Sequence, residues 1–135
     1  MILVIDANVG LKWFIEEQRS PAARKILEKG ASFIAPDIFI PEICNVAWKK
    51  VRNQEITAEQ GQAIVSNVPM VLDHIVPSSE VAKRAFGLAV QFNHPVYDCL
   101  YLALAERESI TLITDDAKLV TVAKKAKLAR FVQAL

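Results

Sequence analysis

The chain has 135 residues, 53% apolar and 23% charged, with 16 basic against 15 acidic side chains and a net charge of +1. That length suits one domain over residues 1–135, and such a chain hides roughly two-thirds of its unfolded surface, which excludes a disordered protein. The longest apolar runs, Met1–Ile5 and Cys99–Ala105, fall far short of the ~20 residues of a membrane span. Asp6 interrupts the opening run and no basic segment precedes it, so the run reads as a strand and not as a signal peptide. Cys44 and Cys99 lie within apolar helical patterns, which suits reduced core thiols of a cytoplasmic protein and gives neither a disulfide framework nor a zinc site.

Taken in order, the elements alternate. Met1–Ile5 is a short apolar run with the composition of a strand buried on both faces. Ala7–Glu17 reads as helical, with Val9, Trp13 and Phe14 as its apolar stripe. Ser20-Pro21 gives a cap and a first-turn proline, and Gly30 gives the stop. Ser32–Ala35 is a second strand. Pro36-Asp37 and Pro41 open a helix to about Arg52, on whose inner side Ile43, Ala47, Trp48 and Val51 fall. Thr57 and Gln60 have capping-box spacing before a helix carrying Ile64, Val65 and Val68. Asp73–Val76 is a weaker strand. Ser78 is the expected cap of a helix whose inner face is Val81, Ala85, Leu88, Ala89 and Phe92. Val96–Arg107 is apolar nearly all round and predicts a central buried helix. Thr111–Thr114 is another strand, Asp116–Lys127 a helix and Ala129–Val132 an edge strand. Short strands alternating with helices predict an α/β fold, a parallel central sheet of 4–5 short strands with helices on both sides.

In such sheets ligands collect beyond the C-terminal strand ends. Asp6 directly follows the first strand, and Asp115-Asp116 follow the strand ending near Ile113. Glu42 and Asp98 stand at helix starts, where the partial positive charge of the helix terminus favours the ionised form. Each has a structural explanation when taken singly. Asp98, Asp115 or Asp116 could cap a helix, and Glu42 could be a solvated first-turn residue. Asp6 is harder to explain so, because a carboxylate directly off a buried central strand has little structural use. Four acids brought together could not all ionise without a cation. Oxygen donors in that number suit Mg²⁺ or Mn²⁺, the usual equipment for phosphodiester hydrolysis.

Ile5-Asp6-Ala7-Asn8, Pro36, Pro41-Glu42 with Asn45, the run Tyr97-Asp98-Cys99-Leu100-Tyr101-Leu102-Ala103-Leu104-Ala105, and Leu112-Ile113-Thr114-Asp115-Asp116 together resemble PIN domains across essentially the whole chain. The run Asp6–Phe14 is similar to the VapC-type toxin ribonuclease branch. The resemblance implies a Mg²⁺- or Mn²⁺-dependent endoribonuclease that acts on RNA, forms a homodimer and is inhibited by a small VapB-like antitoxin. It carries Asp6, Glu42, Asp98 and Asp116 over as the four acids that bind metal and catalyse. Asp116 is selected by the Thr-x-Asp pattern, with Thr114 as a nearby polar contact and Asp115 in the variable middle place. Asn8 matches a position that supports the first aspartate. Glu42 is then the group that orients or deprotonates the attacking water, and the products carry 5′-phosphate and 3′-hydroxyl ends.

Setting aside those four acids leaves 16 basic and 11 acidic residues, a remainder of +5 suited to holding phosphates. Lys49 and Arg52 share a helix side with Glu42 and Asn45, and with Lys12 they are the candidate RNA-backbone contacts. Trp13 and Trp48 are expected in the core, and His94, although it could approach the site next to Asp98, as an ordinary loop histidine. A receiver domain does not fit, since the acidic doublet follows a late strand and no middle strand ends in an aspartate. A dehalogenase-like phosphatase would want an aspartate where Asn8 stands. The rival that keeps the fold is a non-catalytic RNA- or protein-binding module.

Overall fold

The computed structural model describes all residues, 1–135. Five strands form one parallel sheet: β1 (Ile2–Ile5), β2 (Ser32–Pro36), β3 (His74–Val76), β4 (Thr111–Thr114) and β5 (Val132–Ala134), in the spatial order β3-β2-β1-β4-β5. β1 is central, pairing Leu3 with Phe33 on one side and with Thr111 on the other. The chain moves outward from β1 to β3, then crosses back to β4. The order therefore reverses between β1 and β4, and a crevice opens there at the strand ends.

The connecting helices are α1 (Ala7–Leu11), α2 (Ser20–Glu28), α3 (Phe39–Arg52), α4 (Ala58–Asn67), α5 (Ala82–Phe92), α6 (Val96–Glu108) and α7 (Ala117–Lys125). Right-handed crossovers in this strand order place α1–α4 on one face and α5–α7 on the other. α6 has no polar side through its middle: Cys99 to Ala105 are all buried, and the helix packs across β1, β2 and β4 with α5 outside it. α3 and α4 form an antiparallel pair, and the Thr57 capping box forms with Gln60 as expected. No helix is long and apolar enough to cross a membrane. Both cysteines are free; Cys99 is buried and Cys44 half-buried.

Several local expectations are corrected. α1 ends at Leu11 and does not run on to Glu17, because the next residues turn back onto α2. The Trp13 indole donates to the Ala23 carbonyl (2.8 Å) and packs against Phe33, ring centroids 5.0 Å apart and tilted at 45°. Ser20 does not cap α2: its buried hydroxyl donates to Ile15 O and accepts from Glu17 N, tying down that turn. Ser78 begins a short 3-10 turn and makes no side-chain cap. The last strand starts at Val132, because Ala129–Phe131 form another 3-10 turn. Trp48 is 54% exposed and not in the core, with the Arg52 guanidinium 4.7 Å above its ring.

Gly10 lies against the first turn of α3, and a Cβ there would come within 2.9 Å of the Phe39 ring, itself wholly buried. Helix propensity alone would make alanine more stable by about 1 kcal/mol, but overpacking costs about 1–3 kcal/mol. Gly10→Ala is therefore expected to be net destabilising in a urea melt. A melt midpoint at or above wild type would show that Phe39 yields freely.

Candidate active site

Asp6 is the first residue past β1 and the N-cap of α1. Its Oδ1 accepts from the Asn8 backbone N–H (3.1 Å) and its Oδ2 from the Thr114 hydroxyl (2.7 Å). The Asn8 contribution is thus main-chain; its side chain is exposed. Thr114 ends β4 and is wholly buried, and its hydroxyl also accepts from the Asp116 N–H (3.0 Å). One threonine therefore links two of the acids and the two central strand ends.

Asp116 caps α7 through Oδ1, which accepts from Lys118 and Leu119 N–H. Its Oδ2 turns the other way, 3.8 Å from His94 Nε2. The doublet divides here. Asp115 points outward between Lys12 Nζ (3.2 Å) and Arg19 Nε (3.4 Å). Lys12 also reaches Glu17 at 3.4 Å, and Glu17 reaches Lys50 at 3.1 Å. The Lys12 side chain is only 8% exposed, so it serves this internal network and is not on the surface as a phosphate contact. Lys49 and Arg52 are exposed, although Arg52 is engaged with Trp48 and Asn53.

Asp98, in the first turn of α6, has Oδ2 3.0 Å from His94 Nε2. Glu42, in the first turn of α3, accepts a 2.8 Å hydrogen bond from the Tyr101 hydroxyl. Of these partners, Tyr101 was missed in the sequence, and His94 was expected as a loop residue although its place near Asp98 was open. Tyr101 is three residues after Asp98, the one polar tip in a buried run, and that spacing on a helix was the available signal. His94 is four residues before Asp98, but a loop lies between them, so no helical period announced it.

The electrostatics are those of like charges crowded together. Burial pushes Asp6 up to about 6 against the lowering effect of Thr114 and Asn8, and Asp98 and Asp116 push the same way. Burial pushes Glu42 up to about 7 against its Tyr101 bond, with Asp6 and Asp98 adding. Asp98 is raised by burial and by Asp116, with His94 opposing. Burial also holds the Tyr101 hydroxyl well above its ordinary range. No lysine or arginine pairs with any of these four acids; the ion pairs of Lys12, Arg19 and Lys50 go to Asp115 and Glu17. The ligand atoms of His94, Asp98 and Asp116 lie within 4.8 Å of one another. An oxygen-rich set without its own cation fits a divalent ion. Beside it, Ile38, Pro41, Glu42, Asn45 and Tyr97 line a groove of about 340 Å³.

The fold is matched by known proteins. The PIN domain family model matches residues 3–125, and the chain belongs to that family. Among its curated relatives are ribonuclease VapC3 of Pyrobaculum aerophilum, 29% identical over 88% of this chain and 92% of that one, and ribonuclease VapC1 of Mycobacterium tuberculosis, 32% identical over 86% of each. A chain of a toxin-antitoxin complex from Klebsiella pneumoniae has the same fold, with a TM-score of 0.66 at 21% identity over 87% of this chain and 89% of that one.

A carboxyl group raised on folding stabilises most below its unfolded value, and that contribution is lost as pH rises through the folded value. For Glu42 the window runs from about 4.5 to about 7. In EDTA, Glu42→Gln should flatten the fall in melting temperature across that window and melt above wild type at pH 8. A variant curve parallel to wild type throughout would show that Glu42 is not held in this crowded state.

Proposed function

We propose that the chain is a metal-dependent endoribonuclease of the VapC type, hydrolysing RNA phosphodiester bonds at a four-acid site. The observation that carries this reading is the meeting of Asp6, Glu42, Asp98 and Asp116 at the β1–β4 crevice with no lysine or arginine paired to them. The relatives named ribonuclease support it. Asp6, Asp98 and Asp116, with Glu42 beside them, would hold Mg²⁺ or Mn²⁺. Such an ion supplies charge neutralisation at the scissile phosphate and makes water more acidic.

This chain's residues supply the rest. Glu42, beside the aspartates and held by Tyr101, is the group that orients or deprotonates the attacking water. Tyr101 fixes the carboxyl by occupying one of its oxygens. Thr114 keeps Asp6 and Asp116 in register with the strand ends. The groove of Asn45 and Tyr97 offers a polar group and a 58% exposed ring to a nucleotide. Exposed Lys49 on α3 serves the RNA backbone.

The same proposal extends to a small antitoxin and a second copy of the chain. Support comes from the toxin-antitoxin neighbour and from Phe86 and Val90, one turn apart on α5 and 56% and 69% exposed, a patch a partner could cover.

Purified protein freed of any antitoxin should cut a mixed RNA pool with Mg²⁺ or Mn²⁺ and stop in EDTA. Asp98→Asn should abolish cutting, and Glu42→Gln should slow it by about 10²–10⁴-fold. Undiminished cutting in EDTA or by Asp98→Asn would refute the site. RNA bound but never cut, with no divalent ion taken up, would favour the binding-module reading.

A further inference from the structure

Four acids account for the proposed chemistry, yet a fifth side chain is built into the same place. His94 is the middle residue of the three-residue link between α5 and α6, after Asn93 turns left-handed (φ 51°) and before Pro95, the residue that precedes α6. Its own N–H donates to Ala89 O at 3.2 Å, which fixes the backbone. The ring is nearly enclosed, with the side chain 8% exposed, and Nε2 is aimed at two carboxylates, 3.0 Å from Asp98 Oδ2 and 3.8 Å from Asp116 Oδ2.

Those separations suit ligands of a common ion. Two ligands at right angles on a cation with ~2.1 Å bonds stand about 3 Å apart, and a wider angle spreads them further. The three donor atoms also lie within 4.8 Å of one another, a grouping compatible with one shared ion. We propose that His94 Nε2 is itself a ligand of the divalent ion, making a mixed nitrogen–oxygen site that selects Mn²⁺ or another first-row transition ion over Mg²⁺. This rests on the nuclease reading above, which requires the ion but not the histidine. Mg²⁺ takes oxygen donors and dehydrates reluctantly, whereas imidazole is a good ligand for first-row transition metals. A ring that merely donated a hydrogen bond to Asp98 from outside the ligand shell would give no such preference.

The chain has two histidines, and the other, His74, is exposed at the start of edge strand β3. Labelling with ¹⁵N-histidine therefore reports cleanly. Pulsed electron paramagnetic resonance of the protein with one equivalent of Mn²⁺ should show a directly bound ¹⁵N, lost in His94→Gln. That variant should bind Mn²⁺ roughly tenfold or more weakly, with Mg²⁺ binding changed by less than about threefold. Mn²⁺ that binds wild type, and is lost in Asp6→Asn, without ¹⁵N coupling overturns the proposal and leaves the nuclease reading standing. Absence of Mn²⁺ binding to wild type overturns the proposal, and absence of Mg²⁺ binding as well overturns the nuclease reading.

Discussion

A carboxylate directly off a buried central strand, where water can scarcely reach it, is costly unless something answers its charge. Asp6 is in that position, and the molecule answers with neutral donors only: the Thr114 hydroxyl and the Asn8 N–H. Those bonds stitch β1 to β4 and start α1, so the geometry of the crevice follows from them. They do not remove the charge. Asp98 and Asp116 add to it, and the result is a centre in which Asp6, Glu42 and Asp98 are held above their ordinary range. A buried centre of that kind is stable only with protons or with a cation.

Charge is segregated around this centre. Lys12, Arg19 and Lys50 pair with Asp115 and Glu17 in a separate network and with none of the four acids. Adjacent aspartates thus do opposite things: Asp115 binds cations of the chain itself, and Asp116 caps α7 with one oxygen and leaves the other beside His94. Mutating Lys12 would therefore be felt through Asp115 before it was felt by any RNA.

The fold was largely legible because its signals are local. Alternating short apolar runs and helical periods give the parallel sheet, and the unbroken apolar run of α6 gives its burial. The acids were legible for a related reason: strand ends and helix starts are sequence features, and the switch point between β1 and β4 gathers them. What stayed hidden depends on three-dimensional partners. Thr114 was expected only as a nearby polar contact, and its bridging of Asp6 and Asp116 follows from two strands meeting. Lys12 looks like any surface lysine until Asp115 and Glu17 close on it. Trp48 looks like a core residue because its neighbours are apolar, yet it faces out under Arg52. His94 escapes periodicity because the αL turn at Asn93, not a helix, brings it to Asp98.

The central claim is that these acids form an uncompensated centre completed by a divalent ion. Melting of wild type and Asp6→Asn at pH 7.5, first in EDTA and then with increasing Mn²⁺, tests it without any substrate. An ion that binds only the folded protein stabilises by about 2.7 kcal/mol at a hundredfold excess over its dissociation constant. The wild-type melting temperature should climb with Mn²⁺ while that of Asp6→Asn stays nearly flat. A flat wild-type curve, or an equal rise in the variant, would contradict the account.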